Sequence, residues 1–136
     1  MDEKHVVTCF LESGGRILLL RRSQRVGTYR GRWAGVSGYV EEGVSPQQQA
    51  FQEILEEAGL SAADVSLEAS GEPVPIIDEQ LGRRWIVHPF LFHVLKPEGL
   101  RIDWEHTEVS WIDPAWISEY ETVPGLDRAW RSAAGT

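Results

Sequence analysis

Three glutamates stand at positions that could carry chemistry: Glu53, Glu56 and Glu57 occupy positions i, i+3 and i+4 of a segment with helical periodicity. Like charges at this spacing destabilise an isolated helix by about 0.2–0.5 kcal/mol per pair. A hard divalent cation such as Mg²⁺ or Mn²⁺ offsets that repulsion, because it binds carboxylate oxygens and keeps positions for water and phosphate oxygens. The spacing therefore predicts a metal site that orients water toward a phosphoryl group, with an unligated glutamate accepting the proton.

A helix is expected to position these glutamates, and the sequence marks both of its ends. Ser45 is a preferred N-cap residue, Pro46 suits the first helical position, and Gln48 completes a capping box. Gly59 predicts the C-terminal end. The glutamates share one arc of this helix, and a separate apolar arc is expected to pack against the core: Ala50, Phe51, Ile54, Leu55 and Ala58. Without a ligand, the acidic arc would be an ordinary solvated helix face.

Strands are expected on both sides of this helix. Residues 6–11 and 16–22 are rich in β-forming residues and flank two glycines, which predicts a β-hairpin, and the nearly continuous apolar residues of 83–95 predict a central strand. The other predicted segments are a loop over 23–31, a strand over 33–40, connections over 61–72 and 71–75, strands over 102–104 and 108–112, and short helices over 113–120 and 127–133. This order predicts an α/β sandwich with a mixed sheet.

Composition limits the class of protein. A chain of 136 residues with 42% hydrophobic residues predicts a single domain over 1–136, and no apolar run approaches the roughly 20 residues of a membrane span. The net charge of −8 disfavours binding to nucleic acid polymers. Cys9 lies alone in an apolar run and is expected to be a core residue in a reducing compartment. With no secretory signal at the N-terminus, we expect a soluble cytoplasmic protein.

Arginines cluster ahead of the predicted helix. The loop over 23–31 is expected to bring arginines near the glutamates, and their nearness favours Arg30 and Arg32 as contacts to phosphate. Arg21 and Arg22 are expected on alternate faces of a strand. The separation of basic from acidic residues suits a small anionic ligand that is bound through a cation, although a solvated basic loop beside a solvated acidic helix is the alternative.

The segment from Gly38 to Leu60 resembles the Nudix box: glycine, five residues, Glu, seven residues, then Arg-Glu-apolar-x-Glu-Glu-x-Gly-apolar. The residues in register are Gly38, Glu53, Ile54, Glu56, Glu57, Gly59 and Leu60. Agreement at so many fixed spacings is a strong signal, and the preceding hairpin and the late Trp-Ile-Asp-Pro segment follow the family's order of elements. The resemblance to the MutT-like Nudix hydrolases implies a Nudix-like α/β/α sandwich with a mixed β-sheet.

The same resemblance implies roles for individual residues. Glu56 and Glu57 would bind Mg²⁺ or Mn²⁺, Glu53 would be a ligand or the base that activates water, and all three would be catalytic. Family members commonly take an extra carboxylate from a later segment, for which Glu105 and Glu108 are candidates. The expected substrate-binding residues are Arg30, Arg32 and Gly38. The implied reaction is attack of water on the diphosphate linkage of a nucleoside diphosphate joined to another moiety, and related proteins often form homodimers.

The sequence departs from the family motif at Val44, which stands in place of Glu, and at Gln52, which stands in place of Arg. Losing an acid and a base together keeps the charges balanced, so the remaining glutamates are expected to bind metal. One alternative is a catalytically impaired domain that binds a nucleotide or sugar nucleotide as a sensor. Another is a relative of isopentenyl diphosphate isomerase, which requires a catalytic cysteine, whereas Cys9 lies in the first strand. His106 is expected in a loop, with no assigned role.

Overall fold

The computed structural model describes residues 1–136, which form an eight-stranded mixed sheet and helices. The strands are β1 (Asp2–Ser13), β2 (Arg16–Arg22), β3 (Trp33–Ala34), β4 (Val36–Tyr39), β5 (Val65–Ser70), β6 (Val74–Asp78), β7 (Arg83–Val94) and β8 (His106–Ile112). The helices are α1 (Pro46–Ala58) and α2 (Leu126–Ala134), and short 3-10 helices cover Ala62–Asp64, Pro97–Gly99 and Pro114–Glu119. None of the helices combines the length and the apolar character that crossing a bilayer requires.

The centre of the sheet is formed by β1 and β7. They run parallel, with Val6 opposite Val87 and Cys9 opposite Phe90. On its other edge, β7 pairs antiparallel with β6 along its first half and with β5 along its second half. The middle of β1, residues 6–9, pairs with β4, and the end of β1 forms a hairpin with β2, which also pairs with β8. The predictions of the hairpin and of a central strand at 83–95 are thus confirmed.

Side chains alternate along the central strands and fill two hydrophobic cores. Val7 and Cys9 of β1 lie in the core that packs against α1, together with Ile54. Phe10 lies in the other core, which includes Leu126 of α2. Because successive strand residues point to opposite faces of a sheet, one strand serves both cores. The predicted α/β/α sandwich with a mixed sheet is therefore present.

Helix α1 has the ends that the sequence predicts. The hydroxyl of Ser45 accepts a hydrogen bond from the backbone nitrogen of Gln48 at 3.2 Å, and the Gln48 side chain accepts one from the Ser45 nitrogen at 3.1 Å. Gly59 adopts a left-handed conformation with φ of 68°, and its N–H donates to the carbonyl of Leu55. Such a conformation carries little strain for glycine, which explains why the helix stops there.

The buried arc of α1 differs from the prediction at one position. Leu55, expected to pack against the core, is 55% exposed, whereas Gln49 is fully buried. The side chain of Gln49 accepts a hydrogen bond from the backbone nitrogen of Glu41 and donates one to Glu53. A buried amide whose polar atoms are paired is tolerated in a core. Gln49 can therefore face the core beside Glu53, while Leu55 faces solvent.

Two strands occur where connections are predicted. The segment over 61–72 contains β5, and β6 begins at Val74, inside the predicted loop over 71–75. Both strands lie along the outer edge of β7, where one side of each strand has no neighbour in the sheet. An edge position tolerates Pro75, whose missing N–H is not needed there. The prolines and the weak alternation of apolar and polar residues are the reasons why the sequence does not predict these strands.

The remaining differences concern local breaks. The strand predicted over 33–40 is divided at Gly35 into β3 and β4, which pair with β2 and β1 respectively. Residues 102–104 form no strand. The short helix after Asp113 is present as a 3-10 helix, and the Asp113 carboxylate caps it by accepting a hydrogen bond from the nitrogen of Ala115 at 2.9 Å.

Candidate active site

Glu57 is the most buried glutamate of α1, with 2% of its surface exposed. Its Oε1 accepts a long hydrogen bond from the backbone nitrogen of Ser37 at 3.5 Å and lies 3.6 Å from Nε2 of His106. Its Oε2 is buried and has no hydrogen-bond donor. Burial raises the pKa of Glu57 well above its usual range, and the adjacent Glu53 and Glu105 raise it further. A carboxylate in this environment is well suited to neutralisation by a cation.

Glu53 lies directly against the backbone of β4, because Gly38 has no side chain. A Cβ atom at position 38 would lie 2.3 Å from the carboxylate carbon of Glu53, far inside van der Waals contact. On its other side, Glu53 Oε1 accepts a hydrogen bond from Nε2 of Gln49 at 2.9 Å. The glycine and the buried amide together hold this carboxylate in one place.

Glu56 is the exposed member of the three glutamates, and it lines the cavity described below. Its Oε1 accepts a hydrogen bond from Nε2 of Gln52 at 3.0 Å, one helical turn earlier. This contact with a neutral amide orients the carboxylate. Glu56 therefore lies at the edge of the site, on its solvent side.

The segment that leads into β8 adds three more polar groups. Burial raises the pKa of Glu105, and the charges of Asp103 and Glu53 raise it further. His106 is buried, and its Nδ1 lies 3.2 Å from Oδ1 of Asp103. Glu57, Glu105 and His106 offer donor atoms that all lie within 4.8 Å of one another. His106 begins β8 and is not a loop residue as predicted; the closely spaced Asp103, Glu105 and His106 were the available sequence signal.

Arg22 is turned toward this site by an irregularity in β2. The register between β2 and β8 shifts between Arg21 and Arg22, so that Arg22 lies opposite His106. Its Nε donates to the carbonyl of Thr28 at 2.9 Å. Burial lowers the pKa of Arg22, while the charges of Glu105 and other acidic groups act in the opposite direction. A half-buried guanidinium therefore faces the carboxylates, which the sequence did not predict.

A cavity of about 460 Å³ opens beside these groups, on the face of the sheet that carries α2. Its charged lining consists of Glu41, Glu53, Glu56, Glu105, Arg22 and Arg25. Its apolar lining comes from the sheet and from the start of α2, and includes Val6, Ile76, Trp85, Val87, Val123 and Leu126. The cavity thus joins a carboxylate-rich part to an apolar part, as sites for ligands with one charged and one apolar portion do.

Tyr29 forms a fixed wall of this cavity. Its hydroxyl donates to Oδ2 of Asp78 at 2.5 Å and accepts a hydrogen bond from Nε1 of Trp85 at 2.9 Å. Burial, together with the bond to Asp78, raises the pKa of Tyr29 to about 12. These bonds tie the loop over 23–31 to β6 and β7, so the aromatic wall is preorganised.

The family model for the NUDIX domain matches residues 2–131. The chain belongs to the NUDIX family. The glutamates of α1 and Gly38 are the residues of its Nudix box that the fold brings to the cavity.

Solved structures support the same assignment of fold. A MutT protein from Methanosarcina mazei Go1 superposes with a TM-score of 0.74 at 23% identity, covering 96% of this chain and 94% of that one. An Ap4A hydrolase from C. elegans gives 0.75 at 18% identity, with 97% and 94% covered. The dihydroneopterin triphosphate pyrophosphohydrolase of E. coli gives 0.73 at 20% identity, with 96% of each chain covered. At these identities, the likeness concerns the Nudix fold alone.

A curated relative shows closer sequence similarity over part of its length. The octanoyltransferase of Myxococcus xanthus is 33% identical over 118 residues, which covers 82% of this Nudix chain and 30% of that protein. The chain thus spans less than a third of the relative's length, and the resemblance concerns one portion of that protein.

The two departures from the Nudix box lie outside the cavity lining. Gln52 donates to Glu56, as described above, and Val44 is a half-buried residue in the turn before α1. The backbone nitrogen of Val44 donates to the carbonyl of Glu41 at 3.1 Å. Neither side chain carries charge, so the exposed side of this Nudix helix lacks the acid and the base that the family motif has there.

Other predicted site residues of this Nudix chain lie away from the cavity. Arg30 Nε donates to a carbonyl of its own loop at 2.8 Å, and Arg32 donates to the carbonyl of Thr122 at 3.2 Å. Glu108 forms an ion pair with Arg21 at 2.9 Å on the exposed side of β2 and β8. The predicted site residues that line the cavity are Gly38, Glu53, Glu56 and Glu105. Arg30, Arg32 and Glu108 do not line it. Glu57 is buried beneath the lining.

Cys9 is fully buried in the core beneath α1, and its Sγ lies 3.9 Å from the carbonyl oxygen of Ala50. Burial raises the pKa of Cys9 well above its usual range, and Glu57 and Glu53 raise it further. A thiol that stays protonated and inaccessible is a poor nucleophile. Cys9 is therefore a core residue, as predicted, and the chemistry of a cysteine-dependent isomerase does not fit this site.

Proposed function

We propose that this Nudix protein is a metal-dependent hydrolase that cleaves the diphosphate bond of a nucleoside diphosphate linked to another moiety. The observation that supports this most directly is the cavity that joins four lining glutamates to an aromatic and apolar wall. A diphosphate joined to a nucleobase has the same two chemical parts. The net charge of −8 disfavours a nucleic acid polymer as the ligand, which leaves a small molecule.

The donor groups fit a divalent cation. Glu57 has a buried oxygen with no hydrogen-bond donor, and its own charge is opposed by Glu53 and Glu105. We assign Glu53, Glu56 and Glu57 as the residues that would hold Mg²⁺ or Mn²⁺, with Glu105 as the extra carboxylate. The bound cation would lower the pKa of a water molecule and neutralise charge on phosphoryl oxygens.

The remaining chemistry belongs to side chains that the fold holds in place. Glu53, fixed between Gly38 and Gln49, serves as a ligand or accepts the proton of the attacking water. Arg22 and Arg25 line the cavity and can donate charge-assisted hydrogen bonds to phosphate oxygens. In this proposal they take the role that the sequence assigned to Arg30 and Arg32.

The apolar part of the cavity is the proposed site for the base. Trp85 and Tyr29 are joined by a hydrogen bond, so the wall that they form does not have to be ordered when the ligand binds.

We further propose that residues 1–136 form one Nudix domain that acts in the cytoplasm, where a reduced Cys9 is stable. Homodimer formation is a separate proposal, which sedimentation analysis would test.

A second candidate function is a sensor that binds the same ligands without hydrolysing them. Val44 and Gln52 favour it, because they remove two charged residues from the Nudix box. The sensor would keep the cavity and its wall and lose turnover.

One panel of assays separates the two functions. Nucleoside triphosphates, sugar nucleotides and dinucleoside polyphosphates are incubated with the protein and either Mg²⁺ or Mn²⁺, and phosphate products and ligand affinity are both measured. Cleavage that EDTA abolishes supports the hydrolase. Tight binding without cleavage of any member supports the sensor, and neither binding nor cleavage would contradict both.

A further inference from the structure

We propose that His106 coordinates the catalytic cation through Nε2, together with the carboxylates of Glu57 and Glu105, so that the site has a nitrogen ligand. This inference rests on the proposed metal-dependent function. It goes beyond the glutamate ligands that the Nudix box supplies, because His106 lies outside the box, at the start of β8.

The geometry of the donor atoms carries the argument. Nε2 of His106 lies 3.6 Å from Oε1 of Glu57, and both side chains are almost completely buried. Two donors about 2.0–2.2 Å from a shared ion lie roughly 2.8–3.1 Å apart as neighbours in an octahedron and roughly 3.3–3.6 Å apart in a tetrahedron. The observed separation of 3.6 Å already fits a tetrahedral ion, and a movement of about 0.5–0.8 Å would fit an octahedral one. Glu105 adds a third donor atom within 4.8 Å of the other two.

The other nitrogen of His106 has the partner that a metal-binding histidine requires. Nδ1 lies 3.2 Å from Oδ1 of Asp103, so it can donate its hydrogen to that carboxylate. Histidines that bind metals usually donate their second ring N–H to a carboxylate or carbonyl, which fixes the ring and leaves the lone pair of Nε2 facing the ion. Asp103 is thus a positioning residue for His106.

The unpaired oxygen of Glu57 is an independent sign of a missing ligand. Oε2 is buried without a donor, although His106 and Glu105 are close to the same carboxylate. A hydrogen bond from His106 Nε2 to Glu57 would be long at 3.6 Å. A cation between these groups would satisfy both the carboxylate and the imidazole.

A nitrogen ligand has a consequence for metal preference. Imidazole suits Zn²⁺ and Ni²⁺, whereas Mg²⁺ prefers oxygen ligands. We expect Ni²⁺ to bind at least about tenfold more tightly than Mg²⁺ in titration calorimetry, and His106→Gln, which offers an amide oxygen in place of imidazole, to reduce this ratio severalfold.

Pulsed electron paramagnetic resonance of the full chain loaded with one equivalent of Mn²⁺ tests the ligand directly. A directly bound imidazole produces a ¹⁴N coupling, which is expected in the wild type and absent in His106→Gln. His93→Gln is the matched control, because His93 lies with Glu12 and Glu68 in a second group of possible ligands on the surface. This control should keep the ¹⁴N signal.

The outcomes separate the inference from the proposed function. Bound Mn²⁺ with no ¹⁴N coupling in the wild type, or a coupling lost in His93→Gln and kept in His106→Gln, would overturn the role of His106 and leave the metal-dependent function standing. No Mn²⁺ binding at any concentration would overturn both. If His106→Gln folds poorly, the other two spectra still test the inference, because a coupling that is absent from the wild type or lost in His93→Gln overturns the role of His106.

Discussion

Replacing Glu57 with glutamine should stabilise the metal-free protein while removing a metal ligand. Oε2 of Glu57 is buried without a donor, and the charges of Glu53 and Glu105 stand close to it. Glutamine has almost the same size and carries no charge. Its amide can donate to Glu53, while its oxygen keeps the bond from the backbone nitrogen of Ser37. The free energy of unfolding without metal should therefore rise.

The size of the effect follows from burial. A buried acceptor without a partner is unfavourable by about 1–3 kcal/mol, and we expect Glu57→Gln to recover an amount in this range. For a chain of this length, 1 kcal/mol corresponds to about 3–5 °C in melting temperature, so the metal-free variant should melt about 3–15 °C above the wild type. A cation at a hundred times its dissociation constant stabilises the wild type by about 2.7 kcal/mol. With the cation bound, the difference in melting temperature between Glu57→Gln and the wild type should therefore disappear or change sign.

Scanning calorimetry in EDTA and in excess Mn²⁺ measures both effects. Glu56→Gln on the same helix is the control, since Glu56 is exposed and its replacement should change the metal-free stability by no more than about 0.5 kcal/mol. Turnover of Glu57→Gln should fall tenfold to a thousandfold. A metal-free variant that melts below the wild type, or one that keeps the full stabilisation by Mn²⁺, would refute the reasoning.

Three further changes probe other parts of the structure. Gly38→Ala should displace the carboxylate of Glu53, because the new Cβ overlaps it. Turnover should drop tenfold or more with little change in melting temperature. Full activity would contradict the role of Gly38 in positioning Glu53. Burial lowers the pKa of His88, so between pH 7 and pH 5 this side chain binds more protons in the unfolded chain than in the folded one. As the pH is lowered over this range, the melting temperature of the wild type should therefore fall relative to that of His88→Gln, and identical slopes would count against this assignment. Val44→Glu combined with Gln52→Arg should alter the Mn²⁺ affinity measured by calorimetry, whereas an unchanged affinity would mean that neither position influences the cation.

The parts of the fold that depend on local signals could be predicted from the sequence. Ser45 and Gly59 mark the ends of α1 through interactions with residues a few positions away, which is why both ends agree with the structure. The strand over 83–95 is apolar on both faces because helices cover both sides of the sheet. By contrast, the exposed position of Leu55 depends on where α1 docks, and a helical wheel does not contain that information.

The parts of the site that depend on distant pairing could not be predicted. Arg22 reaches the carboxylates because the register between β2 and β8 shifts beside it, and His106 is buried because the same pairing places it opposite Arg22. Nothing in either segment alone specifies that shift. Arg30 and Arg32 are close to the box in sequence, yet their side chains bond to backbone carbonyls outside the cavity.

Charge balance in the site connects the altered box to the rest of the fold. With Gln52 in place of arginine, the glutamate face of α1 has no cation on its own helix. Arg22 supplies one from β2, where the charges of Glu105 and Glu57 act to raise its pKa against the effect of burial. Even with Arg25, which also lines the cavity, two guanidinium groups cannot neutralise four lining carboxylates, so the site keeps an excess of negative charge. That excess favours a divalent cation, and for this reason the substitutions at 44 and 52 do not by themselves indicate that metal binding has been lost.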